Sequence, residues 1–241
     1  MDHARHLRNS RENFQAIETV MSASITKNTV TDEATSQTWA AFDFDGTLTR
    51  RDTLVPFLRQ VLGVRRLTTV MTLEAPGLLA YASGAIPNDH AKVRLLRRAL
   101  GGMRKEALEA EGNCFAEQGV PPLLRPVMLQ RLLRHQELGH VCVLVTASLT
   151  LYTKPWAESF GFVHVIGSKL VFDEQRKAIG TLVGGNCYGP EKEKRLRTLL
   201  PPKVRLYAYG DSRGDKEMLA MADHGWRLGR ENKYGEILPT I

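Results

Sequence analysis

The stretch Trp39-Ala40-Ala41-Phe42-Asp43-Phe44-Asp45-Gly46-Thr47 decides the fold. Its first four residues are apolar and make a short buried strand, which the acidic and glycine residues behind it end abruptly. A polar cluster at the end of a buried strand is where α/β proteins place their chemistry. The same arrangement recurs twice further on. Val141-Cys142-Val143-Leu144-Val145 runs into Thr146-Ala147-Ser148, and Arg205-Leu206-Tyr207-Ala208-Tyr209 runs into Gly210-Asp211-Ser212-Arg213-Gly214-Asp215.

Residues 54–138 read as helical throughout. Within Ala91–Ala107 the residues Val93, Leu96, Leu100, Met103 and Ala107 recur at steps of three and four, which predicts one apolar stripe broken at Gly101-Gly102. So long a helical stretch exceeds one crossover between parallel strands, so it predicts an inserted cap. Beyond Ser148 the pattern predicts a helix through Phe160, a strand over Val163–Ile166 and a hairpin pairing Lys169–Phe172 with Ile179–Val183. A helix over Met218–Ala222 and a strand near Trp226–Leu228 complete it. The expected fold class is α/β: a doubly wound parallel sheet formed by residues 38–53 and 139–241, with a helical cap over 54–138. Residues 1–37, rich in Ser, Thr and Asn, are expected to form a disordered leader in which Met21 offers an alternative start.

Composition limits the function classes. With 241 residues, 43% hydrophobic and 24% charged, the chain can pack a core, which excludes wholesale disorder. A formal charge of +7 asks for an anionic partner. That charge is concentrated in residues 50–138, where 14 basic side chains face 8 acidic ones. Arg94, Arg97 and Arg98 are expected opposite the apolar stripe, beside the apolar segment Leu67–Tyr81. Such a face is usually solvated, and it also suits peripheral contact with an anionic membrane. Glu74, Pro76 and Gly77 make Leu67–Ala85 a poor spanning segment. Three scattered cysteines define no disulfide framework, and the leader lacks the apolar core of a secretory signal, so the expected location is cytoplasmic.

Three strand ends deliver Asp43 and Asp45, Thr146 and Ser148, and Asp211 and Asp215 to one sheet edge, with Lys192 opening a helix nearby. Four carboxylates in one place repel unless a divalent cation neutralises them, and an all-oxygen donor set favours Mg²⁺. Each group alone has a plainer meaning: a solvated turn, a helix cap, a surface lysine. Their occurrence together, in order and at strand ends, points to catalysis. Cys142 belongs to strand packing, and His90, His135, His140, His164 and His224 show no metal-ligand spacing, with loop or cap positions expected for them.

Asp43-Phe44-Asp45-Gly46-Thr47, Val145-Thr146-Ala147-Ser148, Gly189-Pro190-Glu191-Lys192 and Gly210–Asp215 together resemble the four motifs of the haloacid dehalogenase superfamily, over about residues 39–229. The pattern is most similar to its phosphoserine-phosphatase-like branch (subfamily IB), in which a helical cap follows the first strand of a Rossmann-like core. The resemblance implies Asp43 as nucleophile and Asp45 as acid and base, with the backbone carbonyl of Asp45 on the metal. It implies that Thr146 and the amide of Ala147 hold a phosphoryl oxygen beside Ser148, and that Lys192 neutralises charge on the phosphoryl group and on Asp43. Asp211 would bind Mg²⁺ directly and Asp215 would support it. Asp52 stands nine residues after the nucleophile, where phosphoserine enzymes carry a glutamate for the substrate's amino group.

The pattern is also similar to phosphatidylglycerophosphatase C-type members, which act on a lipid phosphate. The expectation is therefore a Mg²⁺-dependent phosphomonoester hydrolase, with a lipid phosphate such as phosphatidylglycerophosphate preferred over phosphoserine or another small metabolite. Behind these stand a phosphotransferring mutase using the same nucleophile and a non-enzymatic nucleic-acid-binding module that would use the basic cap alone. No nucleic-acid partner is expected, because clustered carboxylates repel phosphates when no metal is bound. The oligomeric state is left open.

Overall fold

The computed structural model describes residues 37–229 and Ile241; the expected leader lies outside the described residues except for Gln37. In chain order the elements are β1 (Thr38–Phe42), α1 (Leu54–Ala82), α2 (Asn88–Leu100), α3 (Lys105–Cys114), α4 (Pro126–Glu137), β2 (Val141–Leu149) and α5 (Thr150–Ser159). There follow β3 (His164–Ser168), β4 (Leu170–Phe172), β5 (Ala178–Leu182), α6 (Pro190–Leu199), β6 (Arg205–Gly210), α7 (Lys216–Met221) and β7 (His224–Arg227).

Five strands form a parallel sheet in the order β3-β2-β1-β6-β7. β1 lies centrally, with Phe42 in register with Leu144 on one side and Tyr209 on the other. The chain winds outward from β1 through β2 to β3 and then returns to the other side of β1. The crevice at the carboxyl end of β1 is therefore the topological switch point where α/β sheets bind ligands. Alternation along β1 fills both faces: Ala40 and Phe42 join a core with Leu144, Trp156 and Tyr209, while Trp39 and Ala41 join one with Val143, Leu196 and Met218. Burial on both faces explains the unbroken apolar text of these strands. The antiparallel pair β4–β5 stands apart as the expected hairpin.

The helices between β1 and β2 do not all share one role. α1, kinked at Gly63 (φ 71°, ψ 167°), packs along α2, and α2 also packs on β5. α4 covers the sheet: His135 Nε2 lies 2.8 Å from the Tyr209 hydroxyl, and its ring meets Phe42 edge-on. The expected insertion over 54–138 thus ends in a helix that returns the chain to the sheet.

Three sequence expectations need correction here. The buried stripe of α2 is Ala91, Leu95, Leu96, Ala99 and Leu100, and after Gly101-Gly102 the helix restarts with Leu108 buried while Ala107 is exposed. The glycine pair breaks the helical phase, so no single stripe crosses it. Arg94 and Arg98 do not present a free face, because both turn back onto Glu74 of α1, at 3.2 and 2.5 Å. His135 occupies neither loop nor cap surface but the core, where its Nδ1 also meets Nδ1 of His140 at 2.8 Å.

Candidate active site

The chain reverses sharply after β1. Asp43 donates its amide to the Tyr209 carbonyl, continuing the ladder to β6, and Gly46 then turns with φ 79°. A side chain at Gly46 would be strained at that angle and would place its Cβ 2.1 Å from Asp211 Oδ2. The glycine therefore lets the β1 turn and the β6 turn approach closely. Arg125 braces the turn from outside, bonding the carbonyl of Gly46 at 2.8 Å and that of Thr47 at 3.2 Å.

Asp43, 5% exposed, is met by Lys192 Nζ at 2.5 Å on Oδ1 and by the Thr47 hydroxyl at 3.2 Å on Oδ2. Lys192, from the first turn of α6, also bonds Asp215 Oδ1 at 2.6 Å. The other oxygen of Asp215 accepts from the Ser212 amide and hydroxyl, both at 2.9 Å, and from the Asp211 amide at 3.2 Å. Asp215 is thus the brace of the β6 turn. Asp43, Asp211 and Asp215 each offer an oxygen, all within 4.8 Å of one another. Burial, with Asp215 adding to it, pushes the Asp43 carboxyl up to about 8 despite Lys192. Burial acts against the Lys192 charge, but Asp43 and Asp215 outweigh it and hold the ammonium well above the ordinary lysine range.

The metal expectation fits these residues. Asp211 Oδ1 is buried with no hydrogen-bond partner among the described residues, and burial raises its carboxyl above the usual range. An unpaired buried oxygen facing two other carboxylates is a donor set for a hard divalent cation. The carboxylate of Asp45 lies outside that set. Its Oδ1 accepts from the Thr53 amide at 2.9 Å and the Thr53 hydroxyl at 2.7 Å, and its Oδ2 accepts from the Ser148 hydroxyl. Burial, then the charge of Asp52, pushes Asp45 up to about 6.

β2 runs on through Leu149, and its pairing with β3 shifts register between Val145 and Leu149. The shift falls on Thr146, Ala147 and Ser148, re-aiming them into the crevice as bulges do. Thr146 Oγ1 accepts from the Ser148 amide at 2.9 Å. All three line one cavity of about 990 Å³ together with Asp43, Asp45, Lys192 and Asp211. Asp52 reaches the cavity rim, but it is exposed and its Oδ1 accepts from the Leu54 and Val55 amides, at 2.9 and 3.4 Å, at the start of α1.

Several residues in and behind the cavity wall escaped the sequence reading. Thr53 holds Asp45 and shares a 3.0 Å contact with the Tyr152 hydroxyl. Lys92 reaches from α2 to the Ala147 carbonyl and, at 3.1 Å, to Asn186 Oδ1. Burial pulls its ammonium down to about 8, with Asp45 and Asp52 acting in the opposite sense. A signal for Lys92 was present, since it adjoins Ala91 and lies one turn from Leu95 and Leu96 on the buried side of α2. Asn186, which also accepts from Ser168 at 2.8 Å, lies in a loop with no motif to mark it.

The family model of haloacid dehalogenase-like hydrolases matches residues 40–220. Protein CicA of Caulobacter vibrioides is 39% identical over 192 residues, which are 79% of this chain and 86% of CicA. A protein of unknown function from Bordetella pertussis Tohama I superposes with a TM-score of 0.64 at 24% identity, over 78% of this chain and 87% of that one. A phosphoserine phosphohydrolase-like protein from Francisella tularensis gives 0.57 at 15% identity, over 78% and 84%. A substrate-bound phosphoserine phosphatase gives 0.56 at 14%, over 81% and 86%. Those structures share the fold, and the sequence matches give the membership: the chain belongs to the haloacid dehalogenase-like hydrolase family.

Proposed function

We propose that the chain is a Mg²⁺-dependent phosphomonoester hydrolase working through an aspartyl-phosphate on Asp43. The observation that carries this reading is the contrast between two aspartates two residues apart in one cavity. Asp43 is pinned by Lys192 beside Asp211 and Asp215, whereas Asp45 is turned away and hydrogen-bonded by Thr53 and Ser148. Asp43 and Asp211, with Asp215 behind them, would hold Mg²⁺, which would supply positive charge to the phosphoryl oxygens and keep Asp43 ionised.

The chain's own groups then account for each proton and bond. An Asp43 oxygen attacks phosphorus, forming the O–P bond as the bond to the substrate alcohol breaks. Asp45, raised to about 6, gives its proton to the departing oxygen and becomes a carboxylate. That carboxylate then takes a proton from water, whose oxygen attacks phosphorus and releases inorganic phosphate and free Asp43. Lys192 neutralises charge that develops on the phosphoryl group, and Thr146 with the Ala147 amide would hold a phosphoryl oxygen.

The cavity wall supports an amphiphilic phosphate as substrate. Beyond the carboxylates it is lined by Leu54, Val55, Leu78, Tyr81, Leu95 and Leu228, with Arg50 and Arg51 among them. Basic groups suit a second anionic moiety and the apolar ones an acyl or alkyl portion. Oδ1 of Asp52, the acid at the position that takes the amino group in phosphoserine enzymes, is engaged at the start of α1.

Phosphate release with Mg²⁺ from p-nitrophenyl phosphate, phosphatidylglycerophosphate, lysophosphatidate, phosphoserine and sugar phosphates tests both levels. Turnover of the aryl phosphate should vanish in Asp43→Asn, and undiminished turnover there removes the nucleophile. Preference for the lipid phosphates is expected, and a decisive preference for phosphoserine overturns the amphiphilic substrate.

A further inference from the structure

α1 shows an uncharged surface where a water-facing helix ordinarily carries charge. From Leu67 to Pro87 the only charged residue is Glu74, and it is buried at 3% exposure. The inward side of this segment, Leu67, Val70, Glu74 and Gly77, is buried. The outward side shows Leu73 at 53% and Leu79 at 70% exposure, with Thr68, Thr69, Thr72 and Pro76 between them. Two of those threonines satisfy their hydroxyls internally: Thr68 donates to the Val64 carbonyl at 2.9 Å and Thr69 to the Arg65 carbonyl at 3.2 Å. Their methyl groups are left to complete an apolar surface. A surface helix normally faces solvent with charged residues, so this face is made for a less polar neighbour.

We propose that the outer face of α1 docks the protein on an anionic bilayer surface. Charge decides between occupants. Arg59, Arg65 and Arg66 are exposed on the same helix, and its one acidic residue is buried against α2. A two-fold contact with a second copy would bring these arginines toward their own equivalents, whereas anionic headgroups complement them. Apolar residues flanked by arginines are the composition of interfacial helices. The place is also suitable. Leu54 and Val55 at one end of α1, and Leu78 and Tyr81 at the other, line the catalytic cavity, so the bound helix would set the cavity mouth at the lipid surface. Only this last point, the route of the substrate, rests on the proposed phosphatase activity; docking itself does not.

The test is sedimentation of the full chain with vesicles of phosphatidylcholine alone or mixed with phosphatidylglycerol. Binding is expected to the mixed vesicles at low salt and to fall at about 0.5 M salt, where screening is nearly complete over a few ångströms. Leu73→Asp/Leu79→Asp and, separately, Arg65→Glu/Arg66→Glu should each weaken binding at least about tenfold, given what each basic residue contributes near such a surface. Circular dichroism and aryl phosphate turnover should match the parent in both variants. Arg104→Glu/Arg134→Glu, of equal charge change but off α1, should leave binding within about twofold. Three results overturn the proposal: a parent chain that stays in the supernatant at low salt, α1 variants that sediment like the parent, or an Arg104/Arg134 variant that loses as much binding as they do. A dimer by size exclusion that Leu79→Asp dissociates, with no vesicle binding, assigns the face to a second copy instead. Failed docking with intact turnover would leave the catalytic reading standing, and the reverse would leave docking standing.

Discussion

Glu74 in α1 and Asp43 at the end of β1 are both buried carboxylates, 3% and 5% exposed, and both contact cations. Around Glu74 two guanidinium groups meet one carboxylate, and Arg94 and Arg98 keep side-chain exposures of 56% and 43%. Burial opposes the Glu74 charge, but Arg98 and Arg94 outweigh it and hold the carboxyl below its ordinary range. At β1 the ratio is inverted: Asp43 and Asp215 share the single ammonium of Lys192, and Asp211 stands beside them with an unbonded oxygen. Burial leaves Asp43 raised to about 8. One cluster is closed and ties α1 to α2. The other carries surplus negative charge that a bound cation or a proton on Asp43 relieves, and that surplus marks it as a working site.

The comparison can be broken most strongly through activity. Asp45 belongs to neither cluster of paired charge, so Asp45→Asn should cut aryl phosphate turnover by about 10²–10⁴-fold, the range for a lost general acid and base. The Mg²⁺-induced rise in melting temperature should survive in the same variant. Loss of that rise would place the Asp45 carboxylate among the metal's holders.

Next in size is Lys192→Met, which strands Asp43 and Asp215 without their shared cation. Removing one partner of a buried pair costs about 3–5 kcal/mol. Chemical denaturation should show that loss in metal-free buffer and partial recovery with Mg²⁺. A variant as stable as the parent would mean that the surplus charge is already relieved.

The two clusters should also drive stability in opposite directions with pH. Asp43 has a folded pKa raised from 3.8 to about 8, so its folded state binds protons more tightly than the unfolded chain. Its contribution is present below about pH 4 and is lost as pH rises toward 8. Glu74 is lowered from 4.5, so its contribution is present above that value and is lost as pH falls through the folded pKa. In metal-free protein, stability should therefore fall from pH 5 to 8 through Asp43, and Asp43→Asn should flatten that slope. Adding Mg²⁺ to the parent should flatten it too. An unchanged slope in the variant would assign the titration elsewhere.

How much of this was legible depends on range. β1, β2 and β6, their order at a sheet edge, and Asp43, Asp45, Thr146, Lys192, Asp211 and Asp215 could be read because buried strands and turn residues leave local patterns in sequence. Asp43, Asp45, Thr146, Lys192 and Asp211 line one cavity, and Asp215 is bonded to Lys192 behind it. Lys92, Thr53 and Asn186 act through contacts 8 to 99 positions away, as in Thr53 with Asp45 (8 apart) and with Tyr152 (99 apart), and Lys92 with Asn186 (94 apart). No period or spacing records such pairs. The destination of Arg94 and Arg98 was hidden for the same reason: helical phase shows which side of α2 they occupy, but not that Glu74 waits on the neighbouring helix.

The smallest effect should come from Glu74→Gln, and its smallness is what the comparison requires. The amide is nearly isosteric and can still accept a hydrogen bond from one arginine. The freed guanidinium is already about half exposed, so it regains water without a buried charge being left behind. The cost should be about 1–2 kcal/mol, the loss of a charge-assisted bond and not of a buried ion's partner. Aryl phosphate turnover with Mg²⁺ should stay within about twofold, because Glu74 does not line the cavity and takes no part in the Asp43–Lys192–Asp215 contacts. Denaturation midpoints and turnover measured on the same preparation settle it. A loss matching that of Lys192→Met, or a collapse of turnover, would show the cap cluster to be as unbalanced as the site, and the distinction between closed and working charge would fall.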